Sequence, residues 1–128
     1  MATILENVQG VKARIARAAR AAGRDPESVT LLAVSKTHPV ARIAQAQAAG
    51  LNAFGENYVQ EALRKMQALP GLEWHLIGAL QSNKSRLAAE RFDWVQTVDR
   101  VKIANRLSEQ RPAHLPPLNV LIEVNISG

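Results

Sequence analysis

Cysteine is absent from the 128 residues. Disulfide frameworks, zinc-thiolate and iron–sulfur clusters and thiol nucleophiles are therefore excluded together. Aromatic residues make up only 4% of the chain, too few, and too far from its basic segment, for a base-stacking platform. No apolar run approaches the roughly 20 residues that cross a bilayer. The opening Met1-Ala2-Thr3-Ile4-Leu5-Glu6 also lacks the basic-then-apolar layout of a signal peptide. No Walker loop, GxGxxG, GxSxG or HExxH occurs. The histidines His38, His75 and His114 have no carboxylate at helical spacing with which to make a zinc motif. What remains is chemistry by lysine, histidine, hydroxyls, amides and carboxylates in one ordinary domain, expected to be soluble and cytoplasmic.

Sixteen Lys and Arg against eleven Asp and Glu give a formal charge of +5, and the excess is uneven. Lys12, Arg14, Arg17, Arg20 and Arg24 face only Glu6 among the first 24 residues. That cluster reads as the solvated face of an amphipathic helix; a nucleic-acid contact surface is the competing reading.

Ile4, Val8, Val11, Ile15, Ala18 and Ala22 recur at helical spacing before Gly23. The compact run Val29 to Ser35 predicts a strand covered on both faces. The pattern then repeats. A helix starts at Pro39 and runs to Gly50, a strand occupies Ala53 to Gly55, and Asn57 with Gln60 has the spacing of a capping box. A third strand, Trp74 to Ile77, leads to a helix capped by Ser82 or Asn83. The fourth strand is Trp94 to Val98, followed by a helix capped by Asp99; a proline-rich turn then delivers Val120 to Val124. Strands alternating with helices every 20 residues or so demand a parallel α/β sheet with right-handed crossovers. Length favours a small doubly wound sheet over part of a (β/α)8 barrel, which needs about 250 residues. The last strand, however, has no helix after it and leaves an apolar edge, so a piece of a longer chain is expected.

Functional groups in parallel α/β folds collect at the carboxyl ends of strands. That rule selects Ser35-Lys36-Thr37-His38, Gly55-Glu56-Asn57-Tyr58, Gly78 to Lys84, Asp99 and Asn125-Ile126-Ser127. Of the five lysines, Lys12, Lys65 and Lys102 lie on predicted helices among polar neighbours and Lys84 in a loop, while Lys36 ends an apolar strand. Partial desolvation there would favour the neutral amine that attacks a carbonyl, the chemistry of a Schiff base. The competing reading is a strand-end lysine reaching to solvent. Glu56 and Asn57 can orient a bound ring or begin an anion-friendly helix, and Asn57 can equally be a cap. Gln81, Ser82 and Asn83 can bind an anion, with capping as the alternative. His75 reads as a satisfied core residue, His38 as part of a turn and His114 as exposed.

Leu31 to Thr37, Phe54 to Glu61, Trp74 to Gly78 with Leu80 to Lys84, and Val124 to Ser127 together resemble the pyridoxal 5′-phosphate homeostasis proteins, also called proline synthetase co-transcribed homologues. Ala79 departs from the proline common in that family between Gly78 and Leu80. The resemblance implies a (β/α)8 barrel like the N-terminal domain of alanine racemase, here an incomplete one. About five strand units follow an N-terminal helix, and residues 1–128 form the N-terminal part of a single domain. It implies pyridoxal phosphate held as a Schiff base on Lys36, with Asn57 and Ser82 as further cofactor-binding residues and no metal. It also implies a role in balancing cofactor and amino-acid pools, with no established turnover and with pyridoxal-phosphate enzymes as recipients. The family's phosphate cradle belongs to the second half of the barrel, so this chain alone is expected to bind the cofactor weakly or not at all. A racemase or decarboxylase of the alanine-racemase fold, with Lys36 as anchor and base, is the alternative.

Overall fold

The computed structural model describes residues 2–127. Helix α1 (Ile4–Ala21) opens the chain, and the Thr3 hydroxyl accepts the Glu6 N–H at 3.1 Å. A cap of that kind is worth about 1 kcal/mol. Glu6 in the first turn and Arg20 in the last complement the helix dipole. The helix turns Ile4, Val8, Ile15 and Ala19 inward and leaves Lys12, Arg14, Arg17 and Arg20 in solvent, so its basic residues do form a solvated face.

Four βα units and a fifth strand follow the predicted rhythm: β1 (Leu32–Val34), α2 (Val40–Ala48), β2 (Ala53–Glu56), α3 (Val59–Ala68), β3 (Glu73–Leu76), α4 (Ser85–Arg91), β4 (Trp94–Val98), α5 (Val101–Gln110) and β5 (Asn119–Ile122). All four strand pairings are parallel, and the spatial order is the sequence order, β1-β2-β3-β4-β5. That order decides between the two α/β architectures. A doubly wound sheet reverses its strand order to place helices on both faces, whereas strands added in one direction with one crossover hand stack every helix on the same face, as in a barrel wall. Length alone pointed the other way.

Alternation along the strands follows from this arrangement. Phe54, Trp74, Leu76 and Val95 are buried and cluster with Ile43, Ala62, Ala88, Ile103 and Leu107 from the helices. The intervening Glu73, Ile77, Trp94 and Gln96 lie on the other, concave face and are only half-buried. Phe54 and Trp74 meet as tilted rings 5.9 Å apart.

Several local expectations are corrected. β1 is three residues long and not covered on both faces: Val34 is 50% exposed. It is an edge strand, and its concave side has no partner layer here. Pro39 stands at the cap of α2, one place before the first helical residue. Asn57 does not cap α3; the chain bends at Asn57, and the extended Tyr58 takes the cap position without a side-chain bond. Ser82 and Asn83 lie within a 3-10 turn, Ser82–Lys84, that precedes α4, and Lys84 is the cap residue. Asp99 likewise yields the cap of α5 to Arg100, with which it makes only an exposed ion pair at 3.6 Å. In each case one or two more residues of turn separate strand from helix than the capping pattern assumed.

Candidate functional site

The turn after β1 carries Lys36. Ser35 continues the ladder by donating its N–H to the Gly55 carbonyl at 2.9 Å, and its own carbonyl accepts the His38 N–H at 3.1 Å. Ser35 to His38 is therefore a closed turn with Lys36 second and Thr37 third. Thr37 has φ 65°, and positive φ confined to the third residue is the type II pattern, normally served by Gly or Asn.

Beneath this turn lies a buried ion network. Glu56, at the end of β2, is fully buried, and Lys65 on α3 is 5% exposed. The Lys65 ammonium donates to both Glu56 oxygens at 3.0 Å, to Glu61 Oε1 at 2.8 Å and to the Ser35 carbonyl at 2.9 Å. The Ser35 hydroxyl donates to Glu56 Oε2, and Glu61 Oε1 accepts the Thr37 N–H at 2.8 Å. The Lys65 hydrogen bond, followed by that of Thr37, holds the Glu61 carboxyl below its ordinary value. Sequence reasoning left Lys65 among polar neighbours and offered Glu56 for orienting a ring. Both are corrected, because each is buried and saturated by the other. The signal was available: Val59, Ala62 and Lys65 follow one another at intervals of three, which puts the lysine on the buried stripe of α3, and Glu61 precedes it by four.

The other expected residues divide. Lys36 lies at the carboxyl end of β1 as expected, but it is exposed, so the predicted desolvation is not found in this chain. Asn57 is half-buried in a cleft of about 370 Å3 shared with Tyr58, Gly78, Gln81 and Lys84. A Cβ on Gly78 would come within 2.3 Å of the Asn57 carbonyl, so these two rim loops touch backbone to backbone. Ser82 is half-buried; neither it nor Lys36 lines that cleft. His75 is a satisfied core residue, with its ring nitrogens 3.1 Å from Glu73 Oε2 and Gln96 Nε2 and its ring stacked on Trp94 at 5.4 Å. His38 lies in the turn; His38, His114, Asp99, Asn125 and Ser127 are exposed. Among the described residues no cluster of His, Asp or Glu could hold a metal ion, and no helix is long and apolar enough to cross a membrane.

Residues 7–128 match the family model described as alanine racemase, N-terminal domain. The chain belongs to that family. Within it, the chain is 63% identical over 130 residues to the pyridoxal phosphate homeostasis protein of Pseudomonas aeruginosa, covering 100% of this chain and 56% of the relative. It is 58% identical to that of Escherichia coli K12, covering 99% and 56%. The chain thus spans little more than half the length of the curated relatives it matches. Among solved structures, PipY of Synechococcus elongatus PCC7942 with PLP bound superposes with a TM-score of 0.63 at 50% identity, covering 75% of this chain and 47% of that one. A protein of Bifidobacterium adolescentis gives 0.77 at 34% identity, covering 84% and 49%. A partial barrel wall is the shape this membership predicts.

Proposed function

We propose that the chain is the N-terminal part of a single barrel domain that holds pyridoxal 5′-phosphate as a Schiff base on Lys36. The observation that carries this reading is the place of Lys36. It is the second residue of a closed turn at the carboxyl end of the first strand, two residues beyond Val34, the last residue of that strand. Leu32 pairs with Ala53 and Val34 with Gly55, whereas Ala33 and Ser35 face Phe54 and Glu56 on the helix side. PLP bound to PipY, at 50% identity, supports the same cofactor here.

The residues suit the aldehyde end of that group by type, a primary amine in solvent on Lys36 with the Asn57 amide and the Ser82 hydroxyl on the loops after β2 and β3, while the 128-residue chain does not gather the three into one cleft. When bound, the cofactor supplies an electron-accepting ring and an aldehyde carbon. Lys36 would hold the cofactor through Nζ at that carbon. Asn57 and Ser82 contribute polar contacts. Holding the phosphate needs further donors, so retention by the 128-residue chain alone is weak.

The function is balancing cofactor and amino-acid pools in the cytoplasm, with pyridoxal-phosphate enzymes as recipients and no turnover of its own. The names of the curated relatives, pyridoxal phosphate homeostasis protein, support the cofactor-balancing part of this reading. A racemase needs a second acid–base group, and the buried His75 has both ring nitrogens engaged. Borohydride trapping followed by peptide mapping, in a version extended to the length of the relatives, tests the proposal. The adduct is expected on Lys36; spread over several lysines with Lys36 not preferred, it would overturn the assignment.

A further inference from the structure

The Glu56–Lys65–Glu61 network does something a hydrophobic cluster of the same volume would not. Exchanging a buried ion pair for well-packed apolar side chains is often neutral or stabilising, so stability alone is a weak account of one. What the charges uniquely touch is backbone. Lys65 binds the Ser35 carbonyl, which belongs to the peptide unit before Lys36; Glu61 binds the Thr37 N–H, which belongs to the peptide unit after it. Peptide units are planar. With both planes flanking one Cα fixed, φ and ψ of that residue are fixed, and so is the direction of its Cα–Cβ bond. Lys36 itself receives none of these contacts, yet its side chain leaves the backbone along a line set by them.

A second observation points the same way. Thr37 is the one non-glycine among the described residues with positive φ. A β-branched side chain disfavours that conformation, which persists only where surrounding contacts over-determine it. The Glu61 carboxylate on the Thr37 N–H is such a contact. The strained residue, the carboxylate that holds it and the ammonium that holds the carboxylate converge on the two neighbours of a single lysine.

We infer that Glu56, Lys65 and Glu61 are positioning residues for Lys36, a buried charged clamp that presents its amine at the barrel rim. This rests on the reading of Lys36 as the cofactor-bearing residue. Glu61→Ala removes the tether at its half-buried end and leaves the Glu56–Lys65 pair in place. In the extended protein, the share of trapped pyridoxal phosphate found on Lys36 is expected to fall about tenfold, a misplaced reacting group being that costly. Amide exchange at Thr37 should accelerate while the far-ultraviolet dichroism holds and the melting temperature falls only slightly.

Adding Thr37→Gly restores most of the Lys36 share, because glycine takes positive φ without support; a merely structural role for Glu61 predicts no such rescue. Should Glu61→Ala fail to fold, Glu61→Gln retains an oxygen for the Thr37 N–H but weakens the grip of Lys65, and an intermediate share is expected. An unchanged Lys36 share in either folded variant, with the Thr37 amide newly exchanging, overturns the inference. Failure of the parent protein to label Lys36 overturns instead the functional reading on which it rests.

Discussion

β1 and β5 are the two edges of one sheet, and they meet solvent in opposite ways. β1 is short and its Val34 is half exposed, but the turn beyond it is fastened by buried ions on α3 and β2. β5 exposes Val120, Leu121 and Ile122 at 44%, 47% and 77%, and it is attached to β4 through an irregular register. Among the described residues no ion pair reaches the segment after it. Exposed apolar surface alone therefore says little about where a sheet edge is ordered. What separates the two is what holds the backbone at the carboxyl end of the strand: beyond β1, where Lys36 lies, a buried ion network reaches the turn, whereas Arg111 holds only the Pro116 carbonyl on the segment before β5.

The difference can be broken most severely at Lys65. Lys65→Met leaves the Glu56 carboxylate buried and unpaired, a loss of about 3–5 kcal/mol by denaturant unfolding. Adding Glu56→Gln should recover part of it, since the stranded charge is then gone. Gly78→Ala comes next. Its Cβ meets the backbone of Asn57, which has no rotamer with which to yield, and a cost of about 1–3 kcal/mol is expected in the same measurement.

Acid acts more locally. Because the Lys65 hydrogen bond holds the folded Glu61 carboxyl below the ordinary glutamate range, its contribution to stability is complete above that range and is lost as pH falls through the lowered folded value. Thr37 amide protection should therefore persist at pH 5 and disappear on further acidification. The smallest effect belongs to the other edge. Ile122→Ser should change the unfolding free energy by no more than about 0.5 kcal/mol, while reducing self-association measured by light scattering, as expected for a bare apolar edge.

The βα rhythm was legible because it is periodic. Apolar runs, helical spacing and the glycine or proline stops fixed element type and order, and the rim rule brought forward the loop that carries Lys36. Capping residues were misplaced because Asn57, Ser82 and Asp99 are typical caps in composition, yet the extra turn residue before each helix is set by how the rim loops pack, as between Gly78 and Asn57. Length and periodicity could not choose between barrel wall and doubly wound sheet, since strand order is a property of space; the four motifs that carry the family resemblance did choose the barrel, and the strand order agrees with it. The ion network stayed hidden for a related reason. Lys65 looks solvated when read with its immediate neighbours Arg64 and Met66, and becomes buried only when α3 is laid against Glu56 from another element.

The visible absorbance of the extended protein mixed with pyridoxal phosphate, compared with that of Lys36→Ala, tests the central claim most directly. A band displaced from that of the free cofactor in the parent protein, and lost in Lys36→Ala with the melting temperature nearly unchanged, is the predicted result. The same displaced band in both proteins would contradict it.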